Sequence, residues 1–230
     1  MQSRIFAVVL VTLVVFGLIT ARARDAQAAS PAPMPHMAMP STSPTPVPRP
    51  DAAEAALIAN VTKVLQERYP TTGAAKAAGY FQMTRLEDDG TVIWFNGKWD
   101  DDIDKYDPNF LWYDKNDKLV GLDYEYRFST NPKPPGPGVY PVMPSRWTTI
   151  DAHMHFAYTL PDGTVKRRGA ELLPSETGDP TAAQLRAAKL LPANATLLWA
   201  HYHPKSWDLG FWLVPNPNGA FADLNPLVKP

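Results

Sequence analysis

Of the five histidines in this chain, His36 lies in a proline-rich segment, and the other four repeat one spacing: His153-Met154-His155 and His201-Tyr202-His203. On a β-strand, residues i and i+2 share a face, so each pair presents two imidazoles side by side. Imidazole is a ligand for zinc, copper, iron and nickel. Two such strands can bring three or four nitrogens to one ion, so His153, His155, His201 and His203 are the expected metal ligands. Copper, zinc and iron all stay open as the metal. With an exchangeable position, such a centre polarises a substrate or activates water or O2. With a closed shell it carries or stores the ion without turnover.

The flanking residues support strands with two distinct faces. Asp151 and Ala157 fall on the face of His153 and His155, and Ile150, Met154, Phe156, Tyr158 and Leu160 on the other. In the second segment Trp199 accompanies His201 and His203, while Leu198, Ala200 and Tyr202 point away. Leu160-Pro161-Asp162-Gly163-Thr164 has the chemistry of a three-residue hairpin loop, a type I turn followed by a left-handed glycine. In that register residue 160 pairs with 164, which sets Glu171 opposite His153 and Gly169 opposite His155. Glu171 is therefore a fifth candidate, as a ligand or as a partner that orients one. Asp151 is better suited to orienting, since reaching the ion of His155 would span about 13 Å of strand.

Apolar residues at Leu57, Ile58, Val61, Val64 and Leu65 predict a helix over 51–69, ended by Pro70. Thr71-Thr72 caps a short second helix through Ala78. Strands are expected over 91–95, 110–113, 119–128, 147–160, 164–172, 197–203 and 209–214, with one inserted helix over 181–191. The class is α+β: a mainly antiparallel β sandwich or barrel, with an N-terminal helix and the inserted helix packed outside it.

A basic start at Arg4, an apolar run from Ile5 to Thr20 and small residues through Ala29 read as a secretory signal peptide, or as an N-terminal anchor if uncleaved. Export to the periplasm or cell exterior follows, with a membrane partner only through this segment. Residues 30–50 hold eight prolines and form an extended linker. Within it, Met34, His36, Met37 and Met39 have the softness that suits Cu(I). Residues 51–230 are one domain, and about 180 residues suffice for a core. There is no cysteine, which excludes disulfides and thiolate sites, and a formal net charge of −1 gives no basic patch for nucleic acid.

Other chemistry is weaker. Asp100, Asp101, Asp102, Asp104 and Asp107 lack the glycine and closing glutamate of an EF-hand loop and read as a solvated acidic loop. The tryptophans suit core packing, or a face that stacks a sugar or another small molecule. No G-x-S-x-G elbow is present.

Ala78-Gly79-Tyr80, Asp107-Pro108, Leu111-Trp112-Tyr113-Asp114 and Leu119-Val120-Gly121, with the later His-x-His, resemble a group of exported bacterial proteins without an assigned activity. That similarity spans most of 75–226. The His-x-His strand is also similar to cupins, which bind metal with such a pair, a glutamate and a further histidine in a β-barrel. The chain departs from them in having no glutamate soon after His155 and a paired second set. The resemblance implies a β-scaffold holding a histidine-bound metal. It leaves three readings: a metal-dependent enzyme acting on an unknown small molecule, a metal-handling protein, and an aromatic-faced binding module.

Overall fold

The computed structural model describes residues 47–171 and 178–230, without the side chains of Ala170 and Glu171. The leader and most of the linker thus lie outside the described residues.

Helix α1 (Ala52–Arg68) starts at a capping box. Asp51 accepts from the amides of Ala53 and Glu54, both at 2.8 Å, and the Glu54 carboxylate accepts from the Asp51 amide at 3.1 Å. Leu57, Val61 and Leu65, four apart, form its buried stripe. Helix α2 (Thr72–Ala77) is capped by Thr71 and followed by Gly79 at a positive φ of 97°.

Strands β1 (Phe81–Gln82), β2 (Thr91–Phe95), β3 (Phe110–Asp114), β4 (Leu119–Arg127), β5 (Thr148–Ile150) and β9 (Ser206–Trp212) form a six-stranded antiparallel sheet in the order β1-β2-β3-β4-β9-β5. Strands β6 (His153–Thr159), β7 (Val165–Glu171) and β8 (Thr196–His203) form a three-stranded one in the order β7-β6-β8. Helix α3 (Ala182–Ala187) is shorter than the 181–191 expected, because Lys189 turns left-handed at φ 61°.

Each sheet has an apolar outer face. Leu122, Tyr124 and Tyr126 of β4, with Leu209 and Phe211 of β9, pack beneath Leu57, Val61 and Leu65 of α1. Met154, Phe156 and Tyr158 of β6 pack against Leu185 of α3 and Leu191. The inner faces meet through Phe95, Phe110 and Trp99 on one side and Trp199, His201 and His203 on the other. The architecture is sandwich-like, and the barrel alternative is not realised.

The expected strand 147–160 is broken at Asp151-Ala152. Register explains what the break does. Thr148 pairs with Asp208 and Ile150 with Ser206 in the large sheet; His153 pairs with His203 and His155 with His201 in the small one. The offset is the same from Thr148 to Ala157, across the break, so β5–β6 and β8–β9 are one continuous two-stranded ribbon; the register shifts only beyond it, between Ala157 and Tyr158. It bends where Asp151-Ala152 faces Pro204-Lys205, and an exposed Lys205–Asp151 ion pair of 3.1 Å crosses the corner.

A buried ion pair fastens α1 to the strands. Arg146 donates from Nε and Nη2 to the two oxygens of Glu54, each at 3.0 Å, and lies over the Phe221 ring. Glu54 is fully buried and Arg146 is 7% exposed. Arg146→Met strands a buried carboxylate and is expected to cost about 3–5 kcal/mol. Adding Glu54→Leu should recover part of that loss. Urea unfolding of wild type, single and double variants measures it; a single variant as stable as wild type would contradict it.

Candidate functional site

Strand alternation supplies the first wall of the site. With Leu122, Tyr124 and Tyr126 turned to α1, Asp123 and Glu125 of β4 face inward, and so do Ser206, Asp208 and Gly210 of β9. Gly121 and Gly210 matter here, because a Cβ on Gly121 would collide with the Trp112 indole, and one on Gly210 would collide with Asp123 and crowd the indole. The indole lies across both glycines and donates from Nε1 to Asp123 at 2.5 Å. Thr148 donates to Asp208 Oδ2 at 3.2 Å, and Asp208 Oδ1 is buried without a hydrogen-bond partner among the described residues. One oxygen from each of Asp123, Glu125 and Asp208 lies within 4.8 Å of the others, a geometry that could hold a cation. Burial, then the charges of Asp208 and Glu125, pushes the Asp123 carboxyl well up; burial, then Glu125, pushes Asp208 up to about 7.

The second wall is the inner face of the small sheet, where all four histidines lie on one strand pair. The His153 and His203 rings stack at 4.4 Å, and the His153 and His155 rings are 4.7 Å apart. The corner fixes two tautomers. His153 Nδ1 lies 2.8 Å from the Asp151 carbonyl and His203 Nδ1 lies 2.9 Å from that of Pro204. A carbonyl only accepts, so both Nδ1 atoms carry hydrogen and both Nε2 atoms face the interior. His153 Nε2 is 2.8 Å from His155 Nε2, and His203 Nε2 is 2.9 Å from Glu125 Oε2, which also accepts from Ser206 at 2.5 Å. Each of the two gaps therefore holds a single proton.

The protonation balance follows from these neighbours. Burial, then the facing His203, brings His153 down to about 4. Burial and the other three imidazoles hold His155 well below the usual range. Burial lowers His201 against the opposing pull of Asp179. For His203 burial acts downward, but the Glu125 carboxylate outweighs it and the group is raised.

His153 pairs with His155, and His203 with Glu125, while the His155 and His203 rings stand 6.3 Å apart. His201 sits to one side against Phe95 and Trp99; its Nδ1 is 3.4 Å from Asp179, and its Nε2 has no partner among the described residues. The hairpin forms as expected, with Leu160 N–H donating to the Thr164 carbonyl at 2.9 Å and Gly163 left-handed at φ 83°. Glu171 does not fall opposite His153: the register slips between Met154 and Phe156, and its backbone pairs with Met154. Its side chain lies outside the described residues. Gly169 does lie beside His155, since a Cβ there would be 2.8 Å from His155 Nδ1.

The acidic loop is tied down by protein donors. Asp100, left-handed at φ 55°, accepts from Arg127, Thr130 and Asn131, and Asp107 is paired with Lys98. Asp123, Glu125 and Asp208 were not anticipated from the sequence, although the alternation Gly121, Asp123, Glu125, Arg127 against Leu122, Tyr124, Tyr126 was there to be read. The expected strand start at Leu209 left Asp208 out.

No protein-family model, curated protein or solved structure gives a significant match to this chain.

Two tests probe it. Gly169→Ala should push the His155 ring aside, moving its NMR resonances and costing about 1–3 kcal/mol by overpacking; unchanged His155 signals would contradict the contact. The raised Asp208 binds a proton in the folded state that the unfolded chain releases above pH 3.8, so its contribution to stability falls as pH rises toward 7. With chelator present, Asp208→Asn should therefore gain stability relative to wild type between pH 5 and pH 8. Denaturation midpoints at the two pH values check this, and a pH-independent difference would contradict it.

Proposed function

We propose that this chain is an exported metal-binding protein whose ion is held between the two sheets by His153, His155, His203 and Glu125. One observation carries the reading: Glu125 belongs to both walls, touching His203 Nε2 at 2.9 Å while sharing the carboxylate trio with Asp123 and Asp208. Donors at about 2.0–2.1 Å from a tetrahedral ion lie roughly 3.3–3.4 Å apart, so the proton-filled gaps, His153–His155 at 2.8 Å and His203–Glu125 at 2.9 Å, would each open slightly to admit it. An ion would take the place of those protons. Corner carbonyls that hold Nδ1–H and leave Nε2 bare are the usual outer support of a metal-bound histidine.

Three imidazoles and a carboxylate suit zinc, copper or iron over magnesium or calcium. Glu125 takes the role first considered for Glu171, and His201 stands beside the centre. A cleft lined by His201, and by none of the four proposed ligands, lies beside this centre. Export rests on the leader sequence alone.

Elemental analysis of full-chain protein loaded with each ion in turn tests the assignment. About one equivalent is expected in wild type, lost in His153→Ala/His203→Ala and much reduced in Glu125→Gln. Titration calorimetry in buffers of different ionisation enthalpy should show proton release on binding. Equal uptake by wild type and the double variant, or no uptake of any ion, would overturn the proposal.

A further inference from the structure

Beside the histidines, a cleft of about 670 Å³ opens between the edge of the large sheet and the inner face of the small one. Four buried side-chain polar atoms lack a partner among the described residues, and three of them belong to residues lining this cleft: Trp94 Nε1, Arg167 Nε and His201 Nε2. An unsatisfied buried polar group costs about 1–3 kcal/mol, so three around one hollow mark where water or a ligand must supply partners.

Register places two of them. Arg167, Ala157 and Trp199 form one row across β7, β6 and β8, and His155 with His201 lies in the next, beside Gly169. Ala157 is the small residue between Arg167 and Trp199 in the first row, while the His155 ring covers Gly169 in the next. Phe81 meets Trp199 edge-on at 5.7 Å, giving an aromatic wall. Trp94 alternates to the opposite face of β2 from Phe95 and lines the end of the cleft nearest α2, with Lys76.

The chemistry of the three atoms differs. Arg167 and Trp94 can only donate. His201 Nδ1 faces the Asp179 carboxylate, so in the neutral ring Nε2 is an acceptor seeking a hydroxyl or N–H. Two cations, Lys76 and Arg167, outnumber the one carboxylate, Asp179.

We infer that the cleft binds a small hydroxylated ring compound bearing a carboxylate, the ring against Trp199 and Phe81, the carboxylate on Arg167 and a hydroxyl on His201. An aromatic hydroxy acid and a sugar acid share this chemistry. This does not require the metal reading, although a ligand seated there would lie next to the proposed centre.

The test is titration calorimetry on chelator-treated full-chain protein with 4-hydroxybenzoate and with glucuronate, against their neutral counterparts 4-hydroxybenzamide and glucose. At least one acid should bind one-to-one at millimolar affinity or better, its neutral counterpart about tenfold more weakly. Arg167→Met should erase that preference, and His201→Phe should weaken 4-hydroxybenzoate more than benzoate. Which acid binds tells aromatic from sugar ligands. Neither acid binding at up to about 10 mM, neutral and charged forms binding equally, or an Arg167→Met variant with wild-type affinity would overturn the inference. Ligand binding that persists in His153→Ala/His203→Ala while metal uptake is absent in every sample would remove only the metal proposal.

Discussion

The bend in the β5–β6/β8–β9 ribbon is the constraint on which the rest of the molecule depends. Two strands in unbroken register run through one sheet, turn, and begin the other. A ladder cannot continue through such a corner, and Pro204, which has no amide hydrogen, stands where it is interrupted. The carbonyls of Asp151 and Pro204 take partners outside the ladder. They find them in the imidazoles of His153 and His203, the small-sheet residues next to the corner. Folding the ribbon and orienting the histidines are therefore one event.

The layering is unusual for a sandwich, whose inner faces ordinarily form the apolar core. Here the larger apolar clusters lie on the outer faces, beneath α1 and α3, and much of the space between the sheets is given to four histidines and three carboxylates. The aromatic cluster of Phe95, Phe110, Trp99 and Trp199 lines one side of that space. Such an arrangement departs from what stability alone favours, because buried ionisable groups are costly unless paired. Departures of this kind are expected at functional sites.

The α+β antiparallel class, the apolar stripe of α1, the threonine cap of α2, the hairpin loop and the shared face of each histidine pair were legible in the sequence, because each rests on local period or turn chemistry. The facing of His153 with His203 was not, since register between β6 and β8 is set by a corner that only the folded ribbon defines. Asp123, Glu125 and Asp208 resemble the solvated side of an antiparallel strand; nothing local says that a second sheet covers them. Glu171 was misplaced by one residue through the irregularity near Met154. Gly169 was its trace in the sequence, an isolated strand glycine where a bulge or close approach is to be suspected.

The most direct test of the central claim is a crystal structure of metal-loaded protein with anomalous data collected at the absorption edge of the ion. The account predicts one strong peak between the sheets, at about 2.0–2.2 Å from Nε2 of His153, His155 and His203 and from a Glu125 oxygen. A peak held by the carboxylates alone, or by the acidic loop, with the His153–His155 and His203–Glu125 contacts unchanged, would contradict it.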